Sequence, residues 1–141
     1  MAEMTTIRRV IHPPDCDTLG HVNVARYFEI ASDGGFTIQA EMGLDHKDMT
    51  DGRRLSFAVA RAESAFHQEL VVGDRVYVRS CVVENGRKLA TFRHRIYRSS
   101  DDKLCFEVRF RVVLMNLERR RAVSIPEDLQ QAMALYLAEE E

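Results

Sequence analysis

The last third of the chain contains the pattern that most restricts its fold. Between residues 104 and 114 every second side chain is apolar, whereas Glu107, Arg109 and Arg111 lie on the opposite face of an extended chain. A strict period of two is typical of a β-strand with one face buried. The apolar positions are Leu104, Phe106, Val108, Phe110, Val112 and Leu114. Such a strand indicates an antiparallel sheet whose apolar face is covered by another layer.

One long amphipathic helix is available as that layer. Asn23 suits its N-cap and Gly43 its C-terminal end, and apolar residues recur between them at helical spacing. These residues are Val24, Tyr27, Phe28, Ala31, Ile38 and Met42. Gly34 and Gly35 are unusual inside a helix, because each costs about 1 kcal/mol there. They predict either a kink or a close approach by a neighbouring backbone.

Further strands lie on both sides of this helix. Thr5–Ile11 is a strand candidate that ends at two prolines. Residues 55–59, 76–82 and 90–96 have period two. Asn85–Gly86 predicts a hairpin with a type I′ turn, since that turn needs positive φ at both central residues.

The remaining signals complete an α+β domain. Ser99–Asp102 predicts the next hairpin turn. Pro126 predicts the start of a last helix, with Ser124 near its N-cap. The apolar face of that helix is Leu129, Met133 and Leu137. The expected order is strand, long helix, four strands and short helix, in a single domain over residues 1–141. Edge strands and leftover apolar surface predict a homodimer or homotetramer.

Composition limits the classes of partner molecule that we expect. The net charge is −2 and charged residues make up 30%, so we expect no nucleic-acid partner and no membrane partner. Residues 1–9 are polar and no apolar run approaches about 20 residues, so we expect a cytoplasmic protein. Three scattered cysteines and five histidines without ligand spacing predict no metal.

The loop from Asp15 to Asn23 carries the chemical signal. Two carboxylates, Asp15 and Asp17, precede a helix start that presents free N–H groups and roughly half a positive charge. Thioester hydrolysis needs a group that attacks or activates water, and donors for the oxyanion. Gly20 permits a tight turn beside a ligand. The alternative is that both Asp residues are turn and capping residues, which is the commoner role of Asp in loops.

The segment DCDTLGHVNVARYFE resembles the start of the 4-hydroxybenzoyl-CoA thioesterase family of hotdog enzymes. Residues 70–74 resemble that family's Leu-x-x-Gly-Asp turn, and residues 112–126 resemble its last strand and Arg-x-x-x-Ile-Pro ending. The resemblance implies a hotdog fold and an acyl-CoA substrate, with coenzyme A present as part of the substrate. It also places the catalytic carboxylate on Asp17 and the first helical turn near Val22–Val24.

Other residues are candidates for secondary roles, each with a structural alternative. Those near the loop, which could position the substrate or its oxyanion, are Gly20, His21, Val22, Asn23, Val24 and Tyr27. Glu29 and Glu63 are candidates for the pocket or for supporting it. Arg87, Lys88, Arg119, Arg120 and Arg121 could bind the phosphates of coenzyme A, for which arginine is well suited. The alternatives are N-capping for Asn23, packing for Tyr27 and a solvated surface for the basic clusters.

We therefore expect hydrolysis of an acyl-CoA to a free acid and CoA, a reaction that needs no organic cofactor. Asp17 would attack the thioester carbon or act as general base for water, and the sequence leaves both routes open. Two other functions are compatible with the same fold: an enoyl-CoA hydratase or dehydratase, which needs a His paired with a carboxylate, and a non-catalytic acyl-CoA-binding module.

Overall fold

A computed structural model describes residues 2–138 of the chain. An antiparallel sheet of six strands forms its main layer. The strands are β1 (Met4–Val10), β2 (Leu55–Phe66), β3 (Arg75–Asn85), β4 (Leu89–Arg98), β5 (Lys103–Asn116) and β6 (Arg121–Val123). Their order is β1-β3-β4-β5-β2, and β6 also pairs with β5. The predicted strand Thr5–Ile11 is confirmed as β1, shifted by one residue.

Three helices accompany the sheet in the described part of the chain. They are α1 (Val24–Glu41), α2 (His46–Thr50) and α3 (Glu127–Ala134), and a short 3-10 turn covers Pro13–Asp15. The long helix predicted after Asn23 is confirmed as α1, and Gly43 follows its end with φ of +100°. Within residues 2–138, none of the helices combines the length and the apolar character that a membrane crossing needs.

The core lies between α1 and one face of the sheet. On β5, the inward side chains Phe106, Val108 and Leu114 are fully buried, which is the face that the period of two predicted. The opposing stripe of α1 is Tyr27, Ile30, Ala31, Gly34 and Ile38. Each large apolar side chain buried in this way stabilises the fold by about 1.5–3 kcal/mol. The predicted α+β arrangement of one sheet covered by one long helix is therefore confirmed.

Gly34 lets α1 lie directly on a row of hydrogen-bonded polar side chains of the sheet. A Cβ at this position would lie 3.0 Å from Thr6 Oγ1, 3.1 Å from Ser80 Oγ and 3.3 Å from His94 Nδ1. These groups bind one another: the Thr6 and Ser80 hydroxyl oxygens are 2.8 Å apart, and Ser80 Oγ is 2.7 Å from His94 Nδ1. The predicted close approach is thus present, although side chains and not backbone come near Gly34.

The hairpin at Asn85–Gly86 is confirmed, but its predicted type I′ turn is wrong. Neither residue has positive φ, and β4 begins only at Leu89. The Gly86 N–H donates to the Leu89 carbonyl at 2.9 Å, and a Cβ on Gly86 would lie 2.7 Å from that oxygen. Glycine is required here by the close approach of a carbonyl and not by its dihedral angle.

The C-terminal helix begins at Pro126 as predicted, but one residue of its predicted apolar face is wrong. The N-cap of α3 is Pro126 itself, two residues after Ser124, and the helix ends at Ala134. Leu129 and Met133 are buried as predicted, but Leu137 is half exposed and forms an isolated bridge with Val82. The short elements β6 and α2 were not predicted, because three and five residues are too few to establish a period.

The contacts of the two helix glycines predict opposite effects of adding a methyl group. Gly34→Ala should lower the free energy of unfolding by about 1–3 kcal/mol, because three mutually bonded atoms must move. Gly35→Ala meets only the His94 ring, at 3.7 Å and beyond, so it should be neutral or stabilise by up to about 1 kcal/mol. Urea unfolding of both variants measures the difference, and equal effects would contradict the packing argument.

Candidate active site

Asp15 fastens the loop that precedes α1. Its buried carboxylate forms an ion pair with Arg9 and accepts the His12 N–H at 2.8 Å, while its carbonyl accepts the Asn23 N–H at 2.9 Å. Burial raises the pKa of Asp15, but the His12 hydrogen bond and the Arg9 guanidinium lower it, and the net pKa lies below the ordinary value. Asp15 is therefore a structural residue of the loop.

Asp17 occupies a tight turn that leaves its side chain accessible. The Gly20 N–H donates to the Asp17 carbonyl at 3.0 Å, and Gly20 has φ of +86°, which glycine adopts readily. The Asp17 side chain is 28% exposed. Its Oδ1 accepts the Leu19 N–H at 2.9 Å, which is the turn contact expected of a loop Asp. The turn holds the carboxylate in place without burying it.

Asn23 connects this carboxylate to the helix start. Its Oδ1 accepts the Ala25 N–H at 3.0 Å, so the predicted N-cap is confirmed. Its Nδ2 donates to Asp17 Oδ2 at 3.3 Å. Because one side chain makes both contacts, Asp17 is held next to the N-terminus of α1, where the helix dipole is positive.

His21 lies between two carboxylates. Its Nδ1 is 3.0 Å from Glu69 Oε1, and its Nε2 is 3.9 Å from Asp17 Oδ1. Glu69 belongs to the connection between β2 and β3, far from His21 in the sequence. The imidazole is oriented by Glu69 and stands close enough to Asp17 to exchange a proton with it after a small movement.

Only one of the three predicted backbone donors at the helix start is free. The Val22 N–H donates to the Leu70 carbonyl at 2.9 Å, and the Asn23 N–H donates to Asp15. Within residues 2–138 the Val24 N–H has no acceptor, and the Val24 side chain is exposed. The prediction of donors along Val22–Val24 is therefore corrected to Val24 alone.

These groups face one open pocket of about 480 Å³. It is lined by Asp17, His21, Val22, Asn23, Val24, Tyr27, Phe66, His67, Gln68 and Glu69. The last four come from the end of β2 and the segment after it, and sequence reasoning missed them. No spacing relates them to the loop, because only the pairing of β2 with β5 brings Phe66 beside Phe106 and hence beside α1.

Tyr27 forms the apolar wall of the pocket. Its ring is 5% exposed and lies between Phe66 and Phe106, with centroids 5.2 Å and 5.0 Å away. Burial raises the pKa of the Tyr27 hydroxyl above its ordinary value. Tyr27 is thus mainly a packing residue whose edge lines the pocket.

The predicted residues Glu29 and Glu63 lie outside the pocket. Glu29 is exposed and pairs with Arg26 at 2.7 Å. Glu63 is exposed on β2, with Oε1 3.6 Å from Arg61 Nε, and lines a separate polar groove. Residues 2–138 hold no group of three His, Cys, Asp or Glu side chains arranged to bind a metal ion.

The predicted basic cluster is only partly assembled. Lys88, Arg119 and Arg121 surround a hollow of about 630 Å³ that also includes Val113, whereas Arg87 and Arg120 are exposed outside its lining. Val113 is seven residues along β5 from Phe106, the strand partner of the pocket residue Phe66, and seven residues span roughly 23 Å at the usual rise per residue. The cluster is therefore distant from the Asp17 pocket along the sheet.

Comparisons with known proteins agree with this architecture. The family model of the thioesterase-like superfamily matches residues 11–133. No curated protein matches the sequence significantly. Among solved structures, the hypothetical protein SAV2348 from Staphylococcus aureus, in complex with CoA, is 19% identical with a TM-score of 0.86. The match covers 96% of this chain and 85% of that chain.

Two solved thioesterases are also similar. Slr0204, a 1,4-dihydroxy-2-naphthoyl-CoA thioesterase from Synechocystis, is 16% identical, with a TM-score of 0.80 and coverage of 94% of this chain and 96% of that one. An Asp-to-Asn mutant of 4-hydroxybenzoyl-CoA thioesterase, complexed with 4-hydroxybenzoyl-CoA, is 20% identical, with a TM-score of 0.84 and coverage of 94% and 99%. These similarities confirm the predicted hotdog fold.

The contacts of Asp15 predict that it stabilises the loop. Asp15→Asn should lower the free energy of unfolding by about 1–3 kcal/mol at pH 7, because Arg9 loses its partner. The folded pKa lies below 3.8, so this contribution is present above about pH 4 and disappears as the pH falls through the folded value. Denaturant unfolding from pH 7 to pH 3 should show the variant and the wild type converging, while exposed Asp33→Asn stays close to wild type throughout.

Proposed function

The chain belongs to the thioesterase-like superfamily and is a thioester hydrolase, and we propose that it cleaves an acyl-CoA to a free acid and CoA with Asp17 as its catalytic carboxylate. One observation carries the proposal. Asp17 is accessible, is held by Asn23 and Leu19, and shares a pocket with the free Val24 N–H at the start of α1. A reacting carboxylate and an oxyanion donor therefore face the same space.

The pocket matches the charge changes of thioester cleavage. Negative charge develops on the thioester oxygen when its carbon is attacked, and the Val24 N–H together with the positive end of α1 stabilises that charge. These groups are fixed by the backbone, so they need little reorganisation during the reaction. Phe66 and Tyr27 provide an apolar wall for the acyl group beside the reacting carbon.

Two balanced routes lead from this geometry to the products. In the first, an Asp17 oxygen bonds to the thioester carbon, the C–S bond breaks and CoA thiolate leaves, and water then hydrolyses the mixed anhydride. In the second, Asp17 takes a proton from water, the water oxygen attacks, and CoA leaves as its thiol after receiving a proton. In the first route the water that hydrolyses the anhydride supplies the proton that the CoA thiolate takes up, and in the second route the proton comes from Asp17. We assign this transfer to His21, which Glu69 orients and whose Nε2 lies 3.9 Å from Asp17 Oδ1.

The similar structures support an acyl-CoA substrate for this chain. One similar protein was solved with CoA bound and another with 4-hydroxybenzoyl-CoA bound. The second carries an Asp-to-Asn replacement and contains its thioester ligand, as expected of an enzyme that needs a carboxylate for turnover.

Replacing the carboxylate tests the proposal directly. Asp17→Asn keeps the size of the side chain but can neither attack nor accept a proton, so kcat should fall by about 10²–10⁴-fold. Thiol release from a panel of acyl-CoAs measures the loss. Asp33→Asn is the matched control, because it removes an exposed carboxylate of α1 outside the pocket. Wild-type kcat in Asp17→Asn would rule out the catalytic role.

Rapid-quench mass spectrometry distinguishes the two routes. An acyl group attached to the Asp17 peptide during the first turnover indicates the anhydride route. Burst-free CoA release without a covalent intermediate indicates the general-base route. Either result is compatible with the loss of activity in Asp17→Asn.

We further infer that two copies pair through the free edge of β2. Within residues 2–138, β2 has a strand partner only in β5, and residues 59–64 are exposed. An unpaired edge of this length is a template for another strand. If two β2 strands pair antiparallel about Ala62, Arg61 of one protomer opposes Glu63 of the partner subunit. Opposite charges then face each other twice in an isologous dimer.

A charge swap tests this register. Arg61→Glu should raise the dimer dissociation constant about tenfold, because like charges then face each other at two positions. Arg61→Glu combined with Glu63→Arg should restore the wild-type constant. Sedimentation equilibrium measures all three proteins. A double variant as weak as the single one would contradict pairing about Ala62, and a wild-type monomer would contradict the dimer.

A further inference from the structure

We infer that a cavity between α1 and the sheet, at which His94 is directed, binds the acyl group and selects acyl groups that carry a hydrogen-bond-accepting oxygen. This inference rests on the proposed acyl-CoA thioesterase function and adds the class of acyl group. The cavity is separate from the Asp17 pocket, because the two have no lining residue in common.

The cavity is small and mostly apolar. Its volume is about 230 Å³, and four phenylalanines, Phe36, Phe57, Phe92 and Phe110, form much of its wall. A water molecule in the liquid occupies about 30 Å³, so the space suits a compact group of about eight heavy atoms. A ring or a short chain fits these dimensions, and a long fatty chain does not.

His94 supplies one polar atom to this apolar space. The ring is fully buried and its Nε2 is without a hydrogen-bond partner among residues 2–138. Gly35, which also lines the cavity, has no side chain to cover that nitrogen, and a Cβ there would lie only 3.7 Å from it. Leaving a buried polar atom unpaired is unfavourable, so a ligand that pairs with Nε2 gains affinity.

The direction of the hydrogen bonds from Thr6 through Ser80 to His94 determines whether Nε2 is a donor or an acceptor. The two hydrogen bonds of 2.8 Å and 2.7 Å can run in either direction. In one direction the Thr6 hydroxyl donates to Ser80 and the Ser80 hydroxyl donates to His94 Nδ1, so every hydroxyl hydrogen is used in a short bond. The reverse chain would leave Thr6 to donate to the Val78 carbonyl at 3.5 Å, which is a poor bond. The first chain is favoured, and it places the proton on Nε2. The cavity therefore presents a donor that needs an acceptor.

The His94 ring is neutral, so it cannot attract an anionic ligand by its charge. Burial lowers the pKa of His94 to about 3. A neutral N–H in an apolar cavity favours an uncharged acceptor such as a ketone or ether oxygen, because a carboxylate would have to lose its hydration without a charge to compensate.

The cavity opens at the free edge of β2. Phe36 and Val59 line the cavity and are more than half exposed, and Val59 lies on the free edge of β2. In the β2 pairing about Ala62, the segment of β2 that contains Val59 lies beside the end of the partner strand that contains Phe66 of the partner subunit, a lining residue of the Asp17 pocket. The acyl group held over one Asp17 would thus enter the His94 cavity of the other protomer.

Matched substrates and matched His94 variants test this inference. The probes are pairs that differ by one oxygen: heptanoyl-CoA against 5- and 6-oxoheptanoyl-CoA, and 4-ethylbenzoyl-CoA against 4-methoxybenzoyl-CoA. Wild-type kcat/KM should favour the best oxygen-bearing member of a pair by roughly tenfold. His94→Asn keeps a group near Nδ1 for Ser80 and removes the donor, so the preference should vanish. His94→Gln places an amide N–H near the Nε2 position and should restore part of it.

A second variant covers the case in which His94 replacements do not fold. Gly35→Ala puts a methyl group beside Nε2 within an ordinary contact distance, so it should reduce the preference while the protein stays folded. Calorimetric binding of the same pairs to the Asp17→Asn protein measures the preference without turnover. Absence of thiol release by wild type would contradict the proposed function, and the binding data would still decide the role of His94. Equal binding and equal kcat/KM within every pair would overturn the inference.

Discussion

The packing of α1 on the sheet is the interaction on which the rest of the structure depends. The sheet has one apolar face, and α1 is the only helix in residues 2–138 long enough to cover it. Ile30, Ala31 and Ile38 are completely buried in that contact. Once α1 lies there, its N-terminus emerges beside the end of β2, and this placement creates the pocket.

The loop before α1 is held at two points so that its middle can remain accessible. Asp15 binds Arg9 at one end, and the Val22 N–H binds the Leu70 carbonyl at the other. Asp17 lies between these anchors, in a turn closed by its own backbone. Two aspartates separated by one residue thus differ in their environment: Asp15 is buried and stabilises the loop, and the Asp17 side chain remains accessible. The difference follows from burial and charge pairing.

The core is not uniformly apolar, and a hydrogen-bonded row of polar side chains within it explains the glycine at position 34. Thr6, Ser80 and His94 are bonded in sequence under α1, and Gly34 leaves room for them. A polar chain in a core adds stability only when its members are paired. Its last atom, His94 Nε2, is unpaired and faces a cavity. A site that violates the usual pairing rule is where a ligand is most expected.

Local sequence patterns by themselves determine much of the secondary structure of this protein. The period of two in β5, the helical stripe of α1 and the Asn23 cap depend on neighbours within a few residues, so the sequence predicts them well, and it also placed Asp17 before a helix start. Tertiary structure alone decided which groups meet. Phe66 and Glu69 lie in the Asp17 pocket only because β2 pairs with β5. The carbonyls of Leu70 and Asp15 accept two of the three N–H groups expected to be free at the start of α1. The Leu89 carbonyl determines the geometry of the turn at Gly86. These contacts join segments whose separation is set by the register of the sheet, and no local pattern encodes that register.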